Sequence, residues 1–477
     1  MRSQQSETAS SGADQGAEDS SPSLEVASTY LLDFFATGGR SVLIRGDPGT
    51  GKTSLVLQLL DYHSKNGFKS VYQSTRLSAK TLKSHQPHFE VVQGKYGTVP
   101  RLEEQQIGFQ DSRRMDGVRA ISGLRQYLEQ VANPFVVLDS WEGLFFESHT
   151  LGVEEISKLV EDYDARFVVV TERREQTDLD YLLDGVVVLR RKYHQGRIVR
   201  EIELKKLRGV SIMQSRFLFT LDSGKFRYLP PFKVSTTNGT SQDQVGAPID
   251  SRGKFYSTGS PSLDLLLGGG FRRGSFNLLE AENDVPDEVK SLFLRTLLSN
   301  FVNTGHGVLY IPFVGASKED LGAMLPNLSD QTIERSISVL SYDASEAKKS
   351  SSLQGEMKVD SQLTNSKLDE IQKRTPNKPV LIVQSQDAFE GLYGAEAVSK
   401  ILTESIAGLK SKGNIRVQIT SPSVKLLPEL RAFSDSDMRL EMIHGTPVLY
   451  TSKPLSVLHG VIRDTTATGK IGLVPIV

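Results

Sequence analysis

Ser41-Val42-Leu43-Ile44-Arg45-Gly46-Asp47-Pro48-Gly49-Thr50-Gly51-Lys52-Thr53-Ser54 is the stretch that decides the fold. An aliphatic run leads into Gly46-x-x-x-x-Gly51-Lys52-Thr53, the full P-loop pattern of strand, glycine-rich turn and helix. The chemistry requires this spacing. Glycines at 46, 49 and 51 let the turn face its backbone N–H groups inward around phosphate oxygens, with Asp47, Pro48 and Thr50 completing the cradle. The helix that opens near Gly51 adds unsatisfied N–H groups and its positive end. Lys52 is placed to reach the β- and γ-phosphates, the Thr53 hydroxyl to ligate Mg²⁺, and Ser54 ends the phosphate-binding run. Leu55, Leu59 and Leu60 give the next residues a helical apolar face. The expected ligands are ATP and Mg²⁺.

At 477 residues the chain has room for two or three domains with cores of their own. Its 56 basic and 57 acidic residues nearly cancel, so net charge points to neither nucleic acid nor membrane. With no cysteine, disulfides, thiolate zinc sites and cysteine nucleophiles are excluded. No apolar run approaches the roughly 18 residues of a membrane span, and no signal-peptide core is visible at the start. A cytoplasmic protein is expected.

Residues 1–24 are Ser, Gln, Glu, Gly and Ala with almost nothing apolar, and read as a disordered tail. Residues 25–36 read as an amphipathic helix, and Lys69–Ser74 as a second strand after the Gly67 stop. A helix is expected over 115–131, followed by Phe135-Val136-Val137-Leu138-Asp139. A strand that is apolar throughout is buried on both faces, and an acid at its C-terminal end falls on the ligand edge of a parallel sheet. Asp139 is therefore the second expected magnesium residue beside Thr53. After a helix over 153–163 and the strand Arg166–Thr171, the runs Gly185–Leu189, Arg197–Leu204 and Phe217–Phe219 read as hairpin strands that close the domain. The expected first domain is 25–232, joined by a linker, 233–254, to a second over 255–477.

The second half repeats the first in order. Gly305–Tyr310 echoes Gly67–Tyr72, Leu381–Ser385 echoes Val136–Ser140, and Val417–Ser421 echoes Val168–Glu172. Its phosphate chemistry is gone. Asp284-Val285-Pro286-Asp287-Glu288-Val289-Lys290-Ser291 stands where a P-loop belongs, with Asp284 and Val289 for the framing glycines, and Gln384 stands for the magnesium Asp. The reading is an α/β protein of two tandem P-loop domains, each a mostly parallel sheet with flanking helices and a β-hairpin extension, the second degenerate. Residues 343–377, polar and Ser/Lys-rich, read as a long exposed insert.

With these residues in view, the chain resembles the RecA superfamily, specifically KaiC-like ATPases and the GvpD family of gas-vesicle regulators. Ser257-Thr258-Gly259-Ser260-Pro261-Ser262-Leu263-Asp264-Leu265-Leu266-Leu267-Gly268-Gly269-Gly270 is similar to the opening segment of a KaiC-like domain. Lys205-Lys206-Leu207-Arg208-Gly209 is similar to the element whose Lys and Arg reach a neighbouring subunit's γ-phosphate. The resemblance thus implies RecA-like domains, ATP with Mg²⁺, a hexamer-like ring or other homo-oligomer, and trans-acting fingers Lys206 and Arg208. Against the fingers stands a plain basic strand, since Arg190, Arg191, Lys192, Arg197 and Arg200 make the whole hairpin basic. Two departures matter. The first half lacks the opening segment, and Thr75-Arg76-Leu77-Ser78 holds no acid where KaiC-like domains carry a Glu pair to activate water. Glu142 is the nearest sequence candidate for that role.

The expected function is a slow nucleotide switch: the first domain binds ATP and Mg²⁺, and its bound state biases an unidentified protein partner. The alternative is a DNA-dependent recombinase-type ATPase, kept open by the basic hairpin though no DNA-binding module is visible. A scaffold with a vestigial P-loop is disfavoured, because the first half keeps every phosphate residue that the second has lost.

Overall fold

The computed structural model of the chain describes residues 26–94, 98–145, 149–233, 247–312, 318–340, 353–463 and 470–477. The expected tail lies outside them, as do residues 234–246 of the expected linker and 343–352 of the expected insert.

The first half is built on β1 (Ser41–Gly46), β2 (Lys69–Ser74), β3 (Val92–Gln93), β4 (Ile107–Asp111), β5 (Pro134–Asp139), β6 (Arg166–Thr171), β7 (Gly185–His194), β8 (Arg197–Leu207), β9 (Arg216–Thr220) and β10 (Arg227–Leu229). They form one sheet in the order β10-β9-β8-β7-β1-β6-β5-β2-β4-β3. From β7 to β3 every pairing is parallel, and β7 to β10 are antiparallel. The central strands β1 and β5 are buried along their whole length because helices cover both faces, which is why their sequences run apolar without alternation. The helices of this half are α1 (Val26–Ala36), α2 (Lys52–Lys65), α3 (Ala79–His85), α4 (Gly117–Leu128), α5 (Glu142–Phe145), α6 (His149–Asp162) and α7 (Asp178–Leu182). Helix α2 packs Leu55, Val56, Leu59 and Leu60 into the core, each contributing about 1.5–3 kcal/mol of burial. That anchors the turn before it.

The second half has β11 (Phe255–Tyr256), β12 (Phe271–Arg272), β13 (Phe276–Ala281), β14 (Val308–Ile311), β15 (Ile337–Val339), β16 (Leu381–Ser385), β17 (Ile415–Thr420), β18 (Ser436–Ile443), β19 (Thr446–Lys453), β20 (His459–Arg463) and β21 (Ile471–Pro475). Apart from the β11–β12 pair, these form a nine-stranded sheet ordered β15-β14-β16-β17-β13-β18-β19-β20-β21. Read from the other edge, that is the order of the first sheet without β3. The repeat seen in sequence is thus a repeat of topology.

The opening segment of the second half folds as α8 (Pro261–Leu266), capped by Ser260, with Asp264 bonding Ser257 and Thr258. The long α9 (Asp287–Asn303) then takes the place of α2.

The sheets meet through β8, β9 and β10. Val199, Leu218 and Leu229 bury against Val448, Tyr450, Leu458, Val474 and Ile476. Hydrogen bonds follow the same seam: Thr220 Oγ1 donates to Pro475 O at 2.6 Å, and Arg197 donates from Nε to Ser456 O and from Nη2 to Thr451 O, both at 2.8 Å.

Two of the sequence readings gain detail here. Most cations of the hairpin that reads as a basic surface have partners within the fold, though Arg191 and Lys192 stay exposed: Arg190 pairs with Glu203, Lys192 with Glu201 at 2.6 Å, Arg197 lies over the Tyr450 ring, and Arg200 is buried. The polar insert, in turn, is helical over Leu353–Arg374, with most of its described side chains exposed. Leu368 and Ile371, three residues apart on one face, are buried against the second sheet's helices.

Candidate nucleotide site

The site sits at the C-terminal edge of the first parallel sheet, where β1, β6, β5 and β2 end side by side. Gly49 and Gly51 take φ of 77° and 98°, which lets the turn reverse direction twice between β1 and α2. Gly46 is needed for space: a Cβ there would lie 2.6 Å from Leu189 O and 2.7 Å from Thr50 Oγ1. Thr50 Oγ1 donates to Asp47 O at 2.8 Å, closing the loop on itself. Asp47 also receives a bidentate bond from Arg174, at 2.6 and 2.9 Å. Ser54 accepts from Gln86 Nε2 at 3.3 Å, tying the first turn of α2 to the residue after α3.

Lys52 is buried, and its Nζ donates to Gly46 O at 2.6 Å and Asp47 O at 3.0 Å. Burial pulls its pKa down, and the carboxylate of Glu172, 3.8 Å away, opposes this. Thr53 Oγ1 donates to Asp139 Oδ2 at 3.0 Å, and Tyr72 donates to the same oxygen at 2.6 Å. Burial, and then the Asp139 charge, push the Tyr72 phenol up, so it stays a donor. This all-oxygen set suits Mg²⁺, which needs one or two protein oxygens and completes its octahedron with phosphate and water. Among the described residues no cluster of three His, Asp or Glu forms a metal cage, and such a site requires none.

Pro48, Gly49, Gly51, Lys52, Thr53, Ser54 and Asp139 line one cleft of about 470 Å³. Arg76, Leu77, His85, Glu172 and Leu221 complete it. Sequence reasoning missed Glu172. The available signal was the one that found Asp139: an acid directly after a buried β-branched strand. Glu142, the sequence candidate for a base, is not in this lining. Its Oε1 accepts the Thr171 hydroxyl and, at 3.3 Å, the Glu172 N–H.

Lys206 and Arg208 are not part of this cleft. On β7, Gly185 is level with Val42 and Leu189 with Gly46, while β8 puts Lys206 opposite Val186. Four residues of strand, roughly 13 Å, separate the Val42 level from the phosphate edge. Lys206 Nζ donates to Asp180 O (3.0 Å), Tyr181 O (3.3 Å) and Leu183 O (2.6 Å), closing the C-terminal end of α7. Arg208 pairs with Asp184 at 3.0 Å and donates to Tyr181 O. Neither reaches the phosphate site of its own chain.

Among its described residues the second half does not bring such groups together, and the register corrects how its residues match the first. Gly46 is level with Leu189 and Ala281 with Leu440, so the second strand ends at Ala281, nine residues before Lys290 rather than six. Lys290 consequently lies one turn inside α9, paired with Asp287 at 2.9 Å, and the helix's first residue is Asp287. The place of Asp139 is likewise Ser385, not Gln384: Asp139 is level with Val170 and Ile44, Ser385 with Ile419 and Leu279. No carboxylate stands there under either alignment. Val285 and Val289 are buried where a phosphate cradle would be open.

The chain is similar to several known proteins. A family model described as "ATPase: KaiC" matches residues 32–227. Protein GvpD2 of Halobacterium salinarum is 27% identical over 474 residues, covering 91% of this chain and 93% of that protein. Protein GvpD1 of the same organism is 28% identical, over 58% of this chain and 54% of its own length. The circadian clock oscillator protein KaiC of Nostoc sp. is 26% identical, over 57% and 53%.

Proposed function

Because the chain belongs to the KaiC-like ATPases of the RecA superfamily, close to the GvpD proteins, we propose that it is a slow nucleotide-dependent switch acting on a protein partner. The first domain binds one ATP with Mg²⁺, and the bound state alters the surface the partner reads, in regulation of the gas-vesicle or transcriptional type. The observation that carries this reading is the meeting of Lys52, Thr53 and Asp139 at one edge of a cleft, against the loss of all three from the second half. Slow turnover is expected because Thr75–Ser78 offers no carboxylate at the end of β2, where Thr75 bonds Ser140 and Arg76 is a cation, so that any acid must come from another strand end. Turnover well below the median enzyme rate of about 10 per second is expected. Among the described residues no helix is long and apolar enough to cross a membrane; a cytoplasmic setting is part of the same proposal. The same proposal includes a homo-oligomer in which Lys206 and Arg208, remote from their own site, serve a neighbour's.

Titration calorimetry with ATP and Mg²⁺ tests the assignment. One site per chain is expected, abolished by Lys52→Ala and little changed by Lys290→Ala. Two sites per chain, or binding that survives Lys52→Ala, would refute it.

A further inference from the structure

Glu172 lies at a position that nothing above assigns a role. It follows β6 directly, one residue beyond Thr171, which is level with Arg45, so it stands beside Gly46 at the mouth of the P-loop. β6 separates the P-loop strand from the Asp139 strand. The Glu172 carboxylate is 3.8 Å from Lys52 Nζ and is paired with Arg76. Its backbone is held as well, since Glu142 accepts its N–H and the hydroxyl of the preceding Thr171.

Two carboxylates line the cleft, Asp139 and Glu172. Asp139 is committed to the Thr53 and Tyr72 hydroxyls on the magnesium side. Glu142 is turned into the end of β6, one of its oxygens buried without a hydrogen-bond partner. Of the two, Glu172 is the one within ion-pair distance of the lysine that will hold the β- and γ-phosphates. A γ-phosphoryl group drawn onto Lys52 comes to rest within a few ångströms of it, and the side chain keeps enough exposure, 28%, for water to share the position.

Resting on the ATP reading of this site, we infer that Glu172 is its catalytic carboxylate, supplied from the end of β6 instead of the end of β2. In the step it would serve, water oxygen bonds to the γ-phosphorus while the bond from that phosphorus to the β,γ-bridging oxygen breaks. The bond's electron pair leaves on the β-phosphate of ADP, and the water's proton passes to Glu172 and on to the released phosphate. Lys52 and Arg76 both contact Oε1 of the carboxylate and balance the charge that gathers there. In the absence of nucleotide the same carboxylate is a counter-ion to both cations, so binding ATP takes Lys52 away from it. That competition gives a second readout: neutralising Glu172 removes a negative charge from beside the phosphates.

The test is Glu172→Gln, which keeps shape and removes charge, assayed for ATP affinity by calorimetry with Mg²⁺ and for single-turnover hydrolysis of γ-labelled ATP. The expected result is affinity equal to or tighter than wild type with hydrolysis reduced about 10²–10⁴-fold. Unchanged hydrolysis in a variant that binds ATP would overturn the inference and leave Glu172 a counter-ion of Lys52. A wild-type chain that binds ATP and never cleaves it would overturn it too. A wild-type chain that binds no ATP would sink the reading of the site itself, and the inference with it.

Discussion

Arg200 links the nucleotide site to the second sheet, and its replacement by methionine is a sharp test of that link. The guanidinium is buried, donating from Nη1 to Gly49 O in the P-loop at 3.0 Å and from Nε to Val477 O. Each bond from a charged donor contributes about 1.5–3 kcal/mol, so the two together are worth roughly 3–6. Against this stands the cost of holding the charge where burial, and then Arg191 directly across the β7–β8 ladder, push its pKa down. Taking about 1–2 kcal/mol for that cost leaves a net loss of about 1–5 kcal/mol, centred near 3, for Arg200→Met, whose side chain keeps most of the volume. With a shift of about 2–4 °C per kcal/mol for domains of 150–250 residues, the melting midpoint should fall by about 5–15 °C. Arg191→Met, at an exposed position, removes only the repulsion and should stay within about 0.5 kcal/mol of wild type. ATP affinity should also weaken in Arg200→Met, because the Gly49 carbonyl loses a donor that fixes the loop. Scanning calorimetry with and without ATP reads both effects. A variant that melts within about 2 °C of wild type and binds ATP equally well would show that the contact carries no stability.

His63 is expected to make the fold acid-sensitive. Its ring is stacked on Phe135 at 4.1 Å, neither nitrogen has a hydrogen-bond partner, and burial pushes its pKa down to about 4. A folded pKa below the free value of about 6.5 means that stability is complete above pH 6.5 and is lost as pH falls toward 4, by about 2 kcal/mol at pH 5. His63→Phe should therefore gain on wild type by about that amount between pH 7 and pH 5 in urea unfolding, and an equal pH slope in both would count against the assignment. If Lys206 and Arg208 serve a neighbouring site, mixing Lys52→Ala chains with Arg208→Ala chains should restore part of the ATP turnover that each lacks alone. No recovery in mixed assemblies shown by mass to form, or a monomer at all concentrations with and without ATP, would refute trans action.

The P-loop was legible because phosphate binding restricts local backbone geometry, and that restriction is written as glycines at fixed spacing. Asp139 was legible for a related reason: the burial of β5 and the polarity of its last residue are both local. The duplication could be read from the order of matching strands, since topology follows order. Residue matching inside it could not, because sequence spacing carries no register. Lys290 looks like the counterpart of Lys52 until the ladders show the strand ending at Ala281 and α9 starting at Asp287. Glu172 went unread because its meaning lies in the strand order β1-β6-β5, which places it between two motifs that both precede it in the chain, Asp139 by 33 residues and Lys52 by 120. Lys206 was read for a finger, yet its three carbonyl partners lie at the end of α7, a contact that no motif encodes.

The second half has lost its phosphate chemistry while keeping its fold, and the contacts explain how both can hold. Arg45 on β1 forms a buried ion pair with Asp180 of α7; at the same level on β13, Glu280 pairs with Arg431 of the helix Leu427–Phe433. The pair has exchanged sign and stayed an ion pair, as expected where removing one partner alone would cost about 3–5 kcal/mol. Selection on packing is therefore visible where selection on phosphate binding is not. That packing also bears on the first site. The Leu221 N–H donates to Val477 O at 3.3 Å, and the Leu221 side chain stands where any Cβ on Gly51 would meet it at 2.9 Å. Leu221 lines the cleft, so the residues after β21 brace one wall of the nucleotide site. A chain that discarded its second half would keep Lys52, Thr53 and Asp139 and lose the brace behind Gly51, together with the partner of Arg200.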